Sequence, residues 1–137
     1  MSRKIFYTAH VHTVGGRDGA AKSSDGQLDV QLGSPGTSRP GTNPEQLFAA
    51  GWSACFQGAL TFAAKDAGIK LPADTAVDAE VDLILDEAEG FSLAARLKVS
   101  LPGLDQPTAQ SLIERAHAIC PYSKMTRDGI AAEVALA

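Results

Sequence analysis

The chain has 137 residues, 45% of them apolar and 20% charged, which is the size and composition of one globular domain spanning 1–137. Its formal net charge of −4 gives no electrostatic support for binding nucleic acid or anionic lipid. No uninterrupted apolar run reaches the length of a membrane span. The basic start Met1-Ser2-Arg3-Lys4 also lacks the apolar core of a signal peptide, so a cytoplasmic protein with no membrane partner is expected.

Ile5 to Val14 alternate as a strand would, with Ile5, Tyr7, Ala9 and Val11 on one face. Gly15 to Gly19 read as a turn around Arg17. A short strand over Ala20 to Ser24 follows, then the hairpin signal Asp25-Gly26 and a returning strand over Gln27 to Leu32. Two Pro-Gly pairs, Pro35-Gly36 and Pro40-Gly41, make Gly33 to Thr42 a loop. A long helix is expected over 44–67. Asn43 suits its N-cap, Pro44 its first position, Gln46 a capping box and Gly68 its stop. Apolar and small residues lie around most of its circumference, including Leu47, Phe48, Trp52, Phe56, Leu60 and Phe62. A helix of that kind is covered on all sides, and in so short a chain a partner subunit is the natural cover.

Thr75 to Asp86 and Phe91 to Leu101 form the strands of a second hairpin, turning over Glu87 to Gly90. A second helix runs from Gln106 to about Ile119 and stops at Pro121. Tyr122 to Gly129 is irregular or a short helical turn, and Ile130 to Ala137 is a last strand. The order predicts an α+β fold with antiparallel sheets around a long central helix.

Chemistry concentrates on two cysteines. In a reducing compartment Cys55 and Cys120 are expected to be free or reactive rather than a structural bridge, and zinc spacing is absent. The thiolate is the reactive form of cysteine. Cys55 lies about twelve residues into its helix, beyond the reach of the helix dipole, and burial raises a thiol's pKa. A reactive Cys55 therefore needs a cation from elsewhere in the fold. Arg17 is the best candidate, and Glu45 in the first helical turn could accept from it. Glu45 and Cys55 stand about 15 Å apart on a straight helix, so one arginine reaches both only from between them or from another subunit.

Gly51, Gly58 and Ala59 share the face of Cys55 and leave room near the sulfur. Phe48, Trp52 and Phe62 would wall such a pocket, favouring a bulky apolar substrate. Cys120, at a helix end beside a proline, could trap an oxidised Cys55. The loop so closed is roughly 65 residues and constrains the unfolded chain by about 4 kcal/mol. Each feature also has a plain structural reading: Cys55 as an inert core thiol, Arg17 as a surface turn residue, Glu45 as a complement to the helix dipole. His10 and His12 on one strand face read as solvated, and His117 with Cys120 is too weak a pair to suggest a metal.

Three stretches, Gly15-Gly-Arg17-Asp-Gly19, Thr42-Asn-Pro-Glu-Gln-Leu-Phe-Ala-Ala-Gly-Trp-Ser-Ala-Cys55-Phe56 and Ala116-His-Ala-Ile-Cys120-Pro-Tyr-Ser123, resemble the organic hydroperoxide resistance (Ohr) proteins of the Ohr/OsmC family. Tyr7-Thr-Ala and the tail from Thr126-Arg127 to Val134 fit as well, so the likeness covers essentially the whole chain. The resemblance implies an OsmC-like, intertwined α+β homodimer and a thiol peroxidase without metal, haem or flavin cofactor. It implies that Cys55 attacks the peroxide and that Cys120 resolves the sulfenic acid. Arg17 would hold the thiolate and polarise the peroxide, and Glu45 would orient Arg17. The implied substrate is an organic hydroperoxide, and the implied reductant is dihydrolipoamide or a lipoylated protein. Two alternatives remain: the OsmC branch with another peroxide preference, and a noncatalytic module that binds apolar ligands. One segment departs from the family pattern. Lys124-Met-Thr-Arg-Asp128-Gly129 stands where Asn-Ala-Thr-Arg-Gly-Asn is common, just after Cys120.

Overall fold

A computed structural model of the chain describes residues 2–137. It divides into two compact units, one ending at Leu47 and the other beginning at Phe48.

The first unit carries a three-stranded antiparallel sheet in the order β1 (Val11–Val14), β2 (Ala20–Ser23), β3 (Asp29–Gln31). β1 and β2 are joined through a 3-10 turn over Gly16–Asp18. Gly19 is required there, because a Cβ on it would sit 1.7 Å from the Val14 carbonyl oxygen. The Asp18 carboxylate accepts from both the N–H and the hydroxyl of Ser34, at 3.1 and 3.0 Å, so the 33–42 loop is tied to the turn. Those bonds hold Asp18 below the usual carboxylate pKa.

The first strand is shorter than the alternation predicts. Ser24 donates to the His10 carbonyl at 2.9 Å, but no ladder bond continues toward Ile5 among the described residues. The tail from Ile130 to Ala137, read as a strand in the sequence, has no ladder either. Alternation gives a segment the right faces, but a strand exists only where a second strand accepts its backbone bonds. Both segments leave their apolar side chains in the open: Ile5, Phe6 and Tyr7 at one end, Ile130, Val134 and Leu136 at the other.

Helix α1 runs from Pro44 to Asp66. The Asn43 side chain accepts from Gln46 N–H at 2.8 Å, as an N-cap should. The capping box is only half made, because the Gln46 side chain accepts from the Thr42 hydroxyl. At the other end Gly68 (φ 70°) donates to Lys65 and Ile69 donates to Ala64, the paired bonds of a Schellman stop. An 18-residue window of α1 has a mean hydropathy of 1.3. By length and composition α1 could therefore cross a membrane, contrary to the expectation from uninterrupted runs. The core helix of a folded domain passes the same test, and α1 supplies most of the core here.

In the second unit Trp52, Phe56, Ala59, Leu60, Ala63 and Ala64 of α1 join Leu112, Ala116 and Cys120 in one buried cluster. Strands β4 (Ala76–Asp86) and β5 (Gly90–Ser100) form a hairpin with Asp86 opposite Gly90. The Asp86 carboxylate accepts from the N–H groups of Ala88 and Glu89, which fixes the turn. Val77, Ala95, Leu97 and Val99 pack on the cluster from one face of the hairpin. On the other face Arg96 binds Asp82 through both oxygens and Glu80 through one.

Helix α2 (Gln106–Ile119) is capped by the Asp105 carboxylate, which accepts from Thr108 N–H. It stops before Pro121 as expected. Of the two expectations for the segment after it, irregular or a short helical turn, the helical one holds: it is an eight-residue helix, α3 (Pro121–Asp128). Pro121 breaks α2 and at the same time suits the first position of α3.

Candidate functional site

Cys55 and Cys120 lie in the second unit, where α1 meets the corner between α2 and α3. Both thiols are free, with Sγ atoms 3.5 Å apart. Cys120 is the fully buried one, and Cys55 is half-buried. Cys120 is the only residue between the two helices. Its N–H donates to Ala116 and its carbonyl accepts from Lys124, so it ends one helix and begins the other. Its backbone is extended (φ −63°, ψ 124°), as a residue before proline prefers.

Burial pushes the Cys55 thiol above its ordinary pKa. The Tyr122 backbone N–H opposes that shift, and the neighbouring Cys120 sulfur adds to it. Tyr122 is the second residue of α3, where a helix has N–H groups with no partner inside the helix. The start of α3 thus opposes the effect of burial on Cys55, and nothing in the sequence marks it, because it depends on where α3 begins.

Cys55 opens on a cavity of about 380 Å³ lined also by Gly58, Ala59, Phe62, Ile119 and Pro121. Of the three aromatic residues proposed as its wall, Phe62 lines it, with 65% of its surface exposed. Phe48 stacks on Trp52 and on Tyr122, with centroids 5.7 and 6.1 Å apart. Trp52 is buried and donates through Nε1 to the Ser123 hydroxyl at 3.1 Å. These two hold α3 against α1 rather than lining the cavity beside the sulfur.

The space left by the glycines is divided in the same way. A Cβ at Gly51 would come within 2.8 Å of the Tyr122 hydroxyl oxygen, so that side of Cys55 is filled. A Cβ at Gly58 would meet nothing within 4 Å, and this is the open side.

Arg17 and Glu45 lie in the first unit and are joined. Arg17 Nη1 and Nη2 donate to Glu45 Oε1 and Oε2 at 2.9 and 3.0 Å, a bidentate pair. Glu45 keeps 12% of its side-chain surface exposed and Arg17 keeps 42%. The pair raises the Arg17 pKa above its already high ordinary value. Glu45 and Cys55 ride on the same helix, ten residues apart.

The family model described as OsmC-like protein matches residues 34–135. The chain is 44% identical to the organic hydroperoxide resistance protein of Xanthomonas axonopodis pv. citri over 98% of its own length and 96% of that protein. It is 43% identical to the organic hydroperoxide resistance protein OhrA of Bacillus subtilis, over 95% and 94% of the two chains. Its fold matches the crystal structure of the Bacillus subtilis protein OhrB with a TM-score of 0.84 at 44% identity, covering 90% of this chain and 93% of that one. With the thiol pair at the meeting of three helices and the antiparallel α+β architecture, these likenesses place the chain in the OsmC-like family, among the organic hydroperoxide resistance proteins.

Proposed function

We propose that the chain is a cysteine-based peroxidase that reduces organic hydroperoxides to alcohols. The observation that carries this reading is the 3.5 Å approach of the Cys55 and Cys120 sulfurs beside an apolar cavity. A disulfide needs about 2.05 Å, so the two sulfurs must close by roughly 1.5 Å, within the reach of a small shift at the α2–α3 corner.

In the first step the Cys55 sulfur attacks the distal oxygen of ROOH. The O–O bond breaks, Cys55 becomes a sulfenic acid, and ROH leaves after taking one proton. In the second step the Cys120 sulfur attacks the Cys55 sulfur. The S–O bond breaks, the disulfide forms, and water leaves. A dihydrolipoyl group of dihydrolipoamide or a lipoylated protein then gives up two electrons and two protons to restore both thiols.

Cys55 needs help to ionise, because burial holds its proton on. The proposed source is Arg17, pre-oriented by Glu45 as a planar fork with a fixed direction. The apolar lining by Phe62, Ile119 and Pro121 suits the alkyl part of a bulky peroxide. A cytoplasmic location is also proposed, because a reducing compartment would keep both cysteines available for this cycle. A homodimer is proposed as well. The exposed Phe62 on the helix that supplies most of the core, and the exposed apolar side chains of the alternating segments 5–9 and 130–137, are what a second copy would cover.

Stopped-flow mixing with cumene hydroperoxide tests the central claim. Rapid consumption of one peroxide equivalent with the loss of two thiols per chain is expected, and Cys55→Ser should consume none. Equal behaviour of wild type and Cys55→Ser would overturn the peroxidase in favour of a binding module. Turnover with dihydrolipoamide but not with glutathione tests the reductant, and light scattering in solution tests the dimer.

A further inference from the structure

The corner that carries Cys120 is closed by an arginine that the two-cysteine scheme does not use. Arg127, in the last turn of α3, reaches back past the corner to the end of α2. Its Nη1 donates to the His117 carbonyl at 2.8 Å and its Nη2 to the Ala118 carbonyl at 3.3 Å. Both carbonyls are among the last of α2, which have no acceptor role inside their own helix. A cation there also complements the negative end of the α2 dipole.

The mechanical consequence follows from the chain path. Two helices meet at one residue, Cys120, and proline follows it. Pro121 fixes its own φ and holds Cys120 extended, so the angle between the helices depends on little more than the Cys120 backbone. Arg127 spans that angle as the third side of a triangle. A second tie, from Trp52 Nε1 to Ser123 Oγ, lies in the core. Arg127 itself is exposed, so its removal leaves the packing around Cys120 in place.

We infer that Arg127 is a positioning residue for the resolving step: by fastening α3 to the end of α2 it keeps Cys120 Sγ within reach of the oxidised Cys55 sulfur. The inference rests on the peroxidase reading above and concerns its second step only. Without the tie the corner opens and closes, and a smaller share of molecules has the sulfurs in line when the sulfenic acid forms. The sulfenic acid then lives longer and meets a second peroxide more often.

The test uses the full-length protein with cumene hydroperoxide, comparing wild type with Arg127→Ala, Arg127→Gln and Arg127→Lys. Peroxide consumption in the first turnover should stay within about twofold, because Arg127 does not touch Cys55. Disulfide formation should slow about tenfold in Arg127→Ala, the loss of a charge-assisted tie. Dimedone should trap the sulfenic acid in that variant, and sulfinic acid should accumulate over repeated turnovers. Arg127→Lys, which keeps a cation for one carbonyl, should recover part of the rate. Arg127→Gln keeps a neutral donor, should fall between, and serves if the alanine variant folds poorly. Disulfide formation at the wild-type rate in the alanine and glutamine variants overturns the role of Arg127 alone. A wild type that loses no second thiol overturns the peroxidase reading and this inference with it.

Discussion

Cys120 has no exposed surface and is fixed by main-chain bonds on both sides, whereas Arg17 keeps 42% of its side chain in the open on a three-residue turn. The thiol pair is set by helix packing and the ion pair by a glycine-rich loop tied down by Asp18 and Ser34. A packed core tolerates few arrangements, while loops move at little cost. The contrast suits the division of labour proposed here. The two sulfurs must meet within roughly half an ångström of one geometry. An arginine on a turn can serve as a movable charge, provided that it arrives already oriented. Glu45 supplies that orientation from the first turn of α1.

The largest effect expected is at the sulfur end. Cys55→Ser should bring peroxide consumption to the uncatalysed level, since no other group on the helix can take an oxygen and be reduced again. Cys120→Ser should differ in kind. One equivalent is consumed rapidly, and then Cys55 stays oxidised unless an external thiol reaches it. Mass spectrometry after a single addition separates the two variants.

The ion-pair end should respond through pH. Burial and the Cys120 sulfur hold the Cys55 proton on, so the thiolate fraction and the rate rise as pH rises. A cation at the sulfur moves that rise to lower pH. Arg17→Ala should therefore shift the midpoint of the pH–rate profile upward and lower the rate at neutral pH by roughly 10- to 1000-fold. Arg17→Lys should recover little, because a point charge cannot bind Glu45 through two parallel bonds. An unchanged midpoint in Arg17→Ala would separate the ion pair from the chemistry. Glu45→Gln should cost less, about tenfold, because the arginine survives and loses only its charged anchor.

How much of this was legible in the residues depends on the range of the interaction that decides each feature. The ends of α1 and the stop of α2 were readable because Asn43, Gly68 and Pro121 act within one turn. The hairpin of β4 and β5 was readable because alternation and its turn residues are local too. The segments 5–9 and 130–137 alternate as strands would, but no strand among the described residues pairs with them. The bonding of Trp52 to Ser123, the filling of Gly51 by Tyr122 and the reach of Arg127 to α2 were invisible. Each joins residues whose meeting depends on how α3 leaves Cys120. The pairing of Arg17 with Glu45 was legible because a guanidinium away from water needs an acceptor and Glu45, in the first turn of α1, was the one at hand.

The smallest expected effect sharpens the same contrast inside one helix. Gly51 and Gly58 both lie on the face of Cys55, and the chain treats them oppositely. A methyl group at Gly51 meets the Tyr122 hydroxyl oxygen at 2.8 Å and its ring carbon Cζ at 3.2 Å. Because that ring stacks on Phe48, it cannot simply swing away, and Gly51→Ala should cost about 1–3 kcal/mol in denaturant unfolding. It should also displace α3 and slow disulfide formation. Gly58→Ala meets nothing and removes a flexible residue from a helix interior, so it should gain about 0.5–1 kcal/mol. A methyl group there also narrows the cavity beside Cys55, and reaction with a bulky peroxide should slow more than reaction with hydrogen peroxide. If Gly58→Ala proved destabilising instead, that face of α1 would be covered by something outside the single chain. A parallel fall in dimer content would identify the cover as a second copy.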